Sequence, residues 1–91
     1  MYKVSETIRT THGQDGGLVL DIRQGQMLQL NVTGALIFKR LQEGRTESQI
    51  IDEISQEFHI RRETANVDVW EFLNSLERQG LIHGNEPGEV L

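Results

Sequence analysis

Apolar and polar residues alternate with a period of two over the first third of this chain and recur at helical spacing over the rest. "YKVSETIR" places Tyr2, Val4 and Ile8 on one side of an extended chain, with Glu6 interrupting the pattern, and predicts a first strand. "THGQDGG", Thr11 to Gly17, concentrates turn formers and predicts a chain reversal. In "GLVLDI" a second strand puts Leu18, Leu20 and Ile22 on one face and Val19 and Asp21 on the other. "RQGQ" then supplies a glycine-containing turn. "MLQLNV" reads as a third strand, with Leu28, Leu30 and Val32 pointing one way and Met27, Gln29 and Asn31 the other. Strands joined by so short a turn are antiparallel neighbours.

Past Thr33, read as a helix cap, the period changes. "ALIFKRLQE" is apolar on nearly every side, predicting a helix from Gly34 to Gly44 that lies between the sheet and other helices. "TESQ" is a capping box in which Thr46 and Gln49 satisfy each other's backbone. It opens a second helix with Ile50, Ile51, Ile54 and Phe58 as its apolar stripe and Asp52, Glu53, Gln56 and Glu57 as its wet face. After "HIRR" a third helix runs to Gln79 and is stopped by Gly80, with Leu81 and Ile82 packing back. The predicted fold class is α+β, a three-stranded antiparallel sheet followed by three helices in a winged helix-turn-helix-like arrangement. Residues 1–84 form one domain and 85–91 a flexible C-terminal tail.

Composition narrows the function. Ninety-one residues suffice for one modest core and are few for an insulated catalytic cavity. With 9 Lys+Arg against 14 Asp+Glu, the formal charge of -5 repels phosphate backbones and attracts cationic segments. The absence of cysteine excludes thiolate metal sites and fits a reducing compartment. The N-terminus carries no signal-peptide-like run and no apolar block approaches a membrane span, so a cytoplasmic location is the simplest expectation.

Catalytic patterns are missing. His12, His59 and His83 fall in predicted loops or tail, without helical ligand spacing, and no metal or other cofactor is expected. Asp52, Glu53 and Glu57 form a solvent face, Ser48 and Ser55 have no partnering His, and the glycines form no phosphate loop. The competing reading is a small winged-helix DNA-binding regulator using Arg61 and Arg62. Against it, the helix that would enter the major groove carries Glu63, Asp68, Glu71 and Glu77.

That third helix has surplus apolar residues. Ala65, Val69, Phe72, Leu73 and Leu76 make a core stripe, while Val67 and Trp70 fall roughly 100–160° from its centre at about 100° per residue. Either Trp70 covers a neighbouring element at the stripe's margin, or Val67, Trp70, Glu71 and Asn74 wall a groove. The third strand, last in its meander, leaves one edge of N–H and C=O groups open and carries none of the Lys or Pro residues that usually blunt such an edge. An open edge beside a helix is the geometry of strand addition by an extended peptide, the alternative being that the C-terminal tail or a second copy of the protein covers it.

"GGLVLDIRQGQMLQLNVTGALIFKRLQEGRTESQIIDEI" followed by "VDVWEFLNSLERQGLI" resembles PqqD and the PqqD-like recognition elements of ribosomally synthesised, modified peptides (RiPPs), over about Gly16 to Ile82. The resemblance implies a non-catalytic protein. Such a protein binds the leader segment of a precursor peptide as an added strand and presents the core peptide to a modifying enzyme, a leader peptidase or a radical S-adenosylmethionine enzyme. A monomer or weak homodimer is expected, without nucleic acid, which its charge repels, and without a membrane, which no apolar run could span. Carried over by position, the peptide-binding strand is Gln26, Met27, Leu28, Gln29 and Leu30, and the facing helix contributes Asp68. Helical geometry adds Val67, Trp70, Glu71 and Asn74, so both flanks of the helix are included. Leu30, Asn31, Thr33, Gly34, Leu73, Leu76 and Gly80 look like fold determinants. The "LDIRQGQMLQLN" region departs from the acidic "PER"-type turn of PqqD proper, which turns the expectation from pyrroloquinoline quinone biosynthesis toward lasso peptide or other RiPP pathways.

Overall fold

The computed structural model describes residues 2–84; the expected tail at 85–91 lies outside the described residues. The elements run β1 (Tyr2–Val4), β2 (Ile8–Gly13), β3 (Gly16–Asp21), β4 (Gln26–Leu30), α1 (Val32–Gln42), α2 (Glu47–Phe58), α3 (Arg62–Arg78) and β5 (Ile82–Gly84). A three-stranded antiparallel sheet of order β2-β3-β4 precedes three helices, as the periodicity predicts, and a separate two-stranded ribbon pairs β1 with β5.

The expected first strand is two strands. At Ser5 the chain turns away, its N–H donating to the Leu81 carbonyl at 3.0 Å, so that Tyr2–Val4 pairs with the chain's far end. Ile8 onward joins the main sheet. The reversal read over Thr11 to Gly17 is much tighter, because Thr11 and His12 are strand residues and only Gln14 and Asp15 turn between the Gly13↔Gly16 pair. Gly16 permits this with φ 128, and a Cβ there would run into the Leu30 carbonyl. His12 and His83 therefore stand on strands rather than in loops, and His59 is the left-handed C-cap of α2 at φ 53.

The alternation in β3 buries the less apolar face. Val19 and Asp21 are buried, whereas Leu18, Leu20 and Ile22 are exposed large hydrophobics. Asp21 tolerates this because its carboxylate is fully engaged. Oδ1 accepts from Thr7 Oγ1 at 3.0 Å and from the N–H groups of Arg23 and Gln24, and Oδ2 accepts from Gln24 Nε2 at 2.7 Å. Burial pushes the Asp21 carboxyl up, and the hydrogen bonds from Thr7, Gln24 and Arg23 outweigh it, holding the pKa below its ordinary value. One side chain thus shapes the turn into β4.

The helix cap also differs from expectation. Asn31, extended at φ -74 and ψ 179, accepts from the Gly34 N–H through Oδ1 at 2.8 Å, so α1 starts at Val32 and Thr33 lies in its first turn. Asn ranks somewhat above Thr as a cap, and the strand's end at Leu30 puts Asn31 at that position. The capping box at α2 is present as read, with Thr46 Oγ1 accepting from Gln49 N–H and Gln49 Oε1 accepting from Thr46 N–H. Gly44 and Gly80 both adopt positive φ after their helices.

Ile37 and Phe38 of α1, Ile50 and Ile54 of α2, Val69, Leu73 and Leu76 of α3, Val19 of β3, and Leu81 and Ile82 form one core. Arg40 bridges α1 to α2 through Glu53 at 2.6 Å, and Arg62 bridges α3 to α2 through Asp52 at 2.6 Å. The Arg62–Asp52 pair is exposed and adds about 0–1 kcal/mol, and the Arg40–Glu53 pair is half-buried, so the apolar core does most to hold the helices together.

Candidate peptide-binding edge

With β4 last in the order β2-β3-β4, its outer edge has no strand neighbour among the described residues. Register identifies which groups that edge offers. The Ile22 N–H donates to the Thr7 carbonyl at 3.1 Å, and residues alternate their bonding side along an antiparallel strand. Leu18 and Leu20 therefore bond toward β2, and Gly17, Val19 and Asp21 toward β4, opposite Leu30, Leu28 and Gln26. Met27 and Gln29 are left turning one N–H and one C=O each to the open edge. The side chains alternate too, with Leu30 buried, Leu28 and Gln26 half-buried on the core side, and Met27 and Gln29 exposed.

α3 lies alongside. At one end of β4 the Gln26 side chain donates to the Gln79 carbonyl at 3.0 Å. At the other, Asn31, Thr33, Gly34 and Ile37 share a cavity of about 250 Å³ with Asp68 and Phe72 of α3. Asp68, Phe72, Ser75 and Gln79 follow one another at helical spacing, so this row of α3 is the wall that accompanies β4. The helical wheel alone left the flank open; these contacts assign it.

Of the expected helix residues, Asp68 stands in the cavity beside the end of β4. Glu71 is exposed on the outer margin of the same flank, and Val67 and Asn74 are exposed and turned away from the core. Trp70 sits on the opposite flank. Its ring meets Tyr2 edge-on with centroids 6.1 Å apart, and it lines a separate cavity with Ile51 of α2 and Arg62. Phe72 was assigned to the core stripe from its spacing, yet it is only partly buried and reaches the cavity. Its place at the stripe's edge, next to Asp68, was the available signal. Asn31, Thr33 and Gly34, read as cap and fold residues, also line this cavity.

No group of three or more His, Cys, Asp or Glu side chains that could hold a metal comes together among the described residues, and none of their helices is long and apolar enough to cross a membrane. The arrangement is a backbone edge beside a side-chain groove, a geometry that can accept an extended peptide as an added strand.

The family model described as Coenzyme PQQ synthesis protein D (PqqD) matches residues 16–82, and the chain belongs to this family, as its motifs led one to expect. It is similar over 92% of its length to TbiB1, solved in complex with the TbiA(beta) leader peptide, at 28% identity and a TM-score of 0.85, covering 98% of that chain. It is also similar to lasso peptide synthetase B1 complexed with the leader peptide, at 28% identity and a TM-score of 0.82, covering 91% of this chain and 98% of that one. No curated protein matches the chain.

Proposed function

We propose that this protein binds the leader segment of a ribosomally made precursor peptide by strand addition at β4 and hands the attached core peptide to a separate modifying enzyme, doing no chemistry itself. The observation that carries this reading is the open edge of Met27 and Gln29 beside the Asp68–Gln79 row of α3, in a fold shared with two proteins solved with leader peptides. The likeness to TbiB1 and to lasso peptide synthetase B1 favours a lasso-type pathway, with a leader peptidase as the enzyme served. The strand-accepting species is the monomer, since a second copy paired at β4 would occupy the edge. The DNA-binding alternative loses support because Arg62 is engaged by Asp52 and Ser48 on α2.

Backbone bonds alone do not make such a complex tight. Four edge bonds at about 0.5–1.5 kcal/mol each give about 2–6 kcal/mol, short of the ~8 kcal/mol of a micromolar complex. Side chains entering the groove supply the rest. The test is to search the neighbouring genes for a short precursor peptide and to titrate its leader and core halves against the protein by fluorescence polarisation. Saturable binding by the leader half and none by the core half is expected; failure of the leader to bind rejects the proposal.

A further inference from the structure

The cavity at the Leu30 end of the groove has a composition of its own. Its apolar lining is Ile37 and Phe72. Gly34 gives it depth, because a Cβ there would stand 3.2 Å from Phe72 Cε1 and 3.3 Å from Cζ. Its polar lining is Asn31, Thr33 and Asp68, and the Asn31 amide oxygen is engaged by the Gly34 N–H. Asp68 makes no hydrogen bond or ion pair among the described residues, although the chain's arginines at 40, 45 and 62 are all paired with carboxylates elsewhere. A cavity lined by apolar Ile37 and Phe72 together with an unengaged carboxylate fits a side chain with an aliphatic stem and a cationic tip.

We infer that this cavity is the subsite for one lysine or arginine of the bound leader, with Asp68 as its specificity residue. The inference rests on the proposed strand addition, which brings a peptide past the end of β4 and turns every second side chain toward the groove. An aliphatic residue would meet the apolar lining equally well but leave the carboxylate without a partner. The charge on Asp68 therefore selects among side chains of similar stem.

The test uses a displayed library of random dodecapeptides selected on the wild-type protein, on Asp68→Asn, on Asp68→Lys and on Gln29→Pro. Asp68 is exposed, so its variants keep the fold, which circular dichroism verifies. Wild type is expected to enrich peptides with Lys or Arg at one fixed position. Asp68→Asn should lose that preference while retaining the rest of the consensus, and Asp68→Lys should exchange it for Asp or Glu. Replacing the basic residue of a consensus peptide with Met should weaken binding to wild type about fivefold and leave binding to Asp68→Asn unchanged. A consensus without a fixed basic position, or one that survives Asp68→Asn, overturns the subsite and leaves strand addition standing. Enrichment that is indifferent to Gln29→Pro, or none on wild type, overturns strand addition and the subsite with it.

Discussion

The amide of Gln26 reaches across the chain to donate to the backbone carbonyl of Gln79, 3.0 Å away, linking the first residue of β4 to the residue that caps α3. Gln79 in turn donates through Nε2 to Ser75 Oγ at 3.1 Å, so the groove's closed end is a short polar chain. Replacing Gln26 with Ala should cost about 0.5–1.5 kcal/mol of stability, measured by urea denaturation. It should also weaken leader binding by releasing β4 from α3, measured by fluorescence polarisation.

Proline distinguishes the two sides of β4. Gln29→Pro removes an N–H that the free protein offers to solvent, so it should lower leader affinity by about 1–3 kcal/mol with a smaller change in stability. Leu28→Pro removes a bond to β3 opposite Val19 and should lower the denaturation midpoint sharply. Paired denaturation and binding measurements check both; equal effects of the two variants on stability would count against the register given to the open edge.

Trp70 belongs to the other flank. Its partly buried ring packs on Tyr2 and the α2–α3 seam, so Trp70→Ala should destabilise the fold by about 2–3 kcal/mol, less than the ~3–5 kcal/mol of a fully buried aromatic. The leader affinity of the folded fraction should stay unchanged. A binding loss without a thermal shift would place the peptide on this flank.

Asp21 gives a pH dependence with a definite sign. Its folded pKa lies below the ordinary 3.8, so its contribution is fully present above that value and is lost as pH falls through the folded pKa. Acid titrations of stability should show wild type losing more than Asp21→Asn below about pH 3.8. The variant should also loosen the turn from Ile22 to Gly25, seen as faster amide exchange at Arg23 and Gln24, whose N–H groups Asp21 holds.

Much of this architecture was legible because local and global signals agree. "TESQ" specifies a helix start whatever surrounds it, and Gly44 and Gly80 stop helices because their backbone is cheap at positive φ. Where the sequence misled, two local solutions competed and a distant contact chose. Asn31 rather than Thr33 caps α1 because β4 ends at Leu30, and the first strand divides at Ser5 because Leu81, far along the chain, offers its carbonyl. The face of β3 was undecidable from alternation, since the turn that Asp21 organises outranks the three apolar residues opposite. At the candidate site, the open edge was readable from the strand's position as last in the meander. The wall was not, because a helical wheel has no handle on which neighbour lies to which side; only Asn31 and Gln79 meeting α3 and β4 at the two ends fix it.

The β1–β5 ribbon sets Tyr2 opposite Gly84 and holds Tyr2 against Trp70, on the flank of α3 away from β4. A host segment joined at Tyr2 or at Gly84 therefore meets the domain on the flank away from the groove. The same geometry makes this domain a portable cassette: joined to another protein through either strand of the ribbon, it would keep the open edge of β4 clear of the junction.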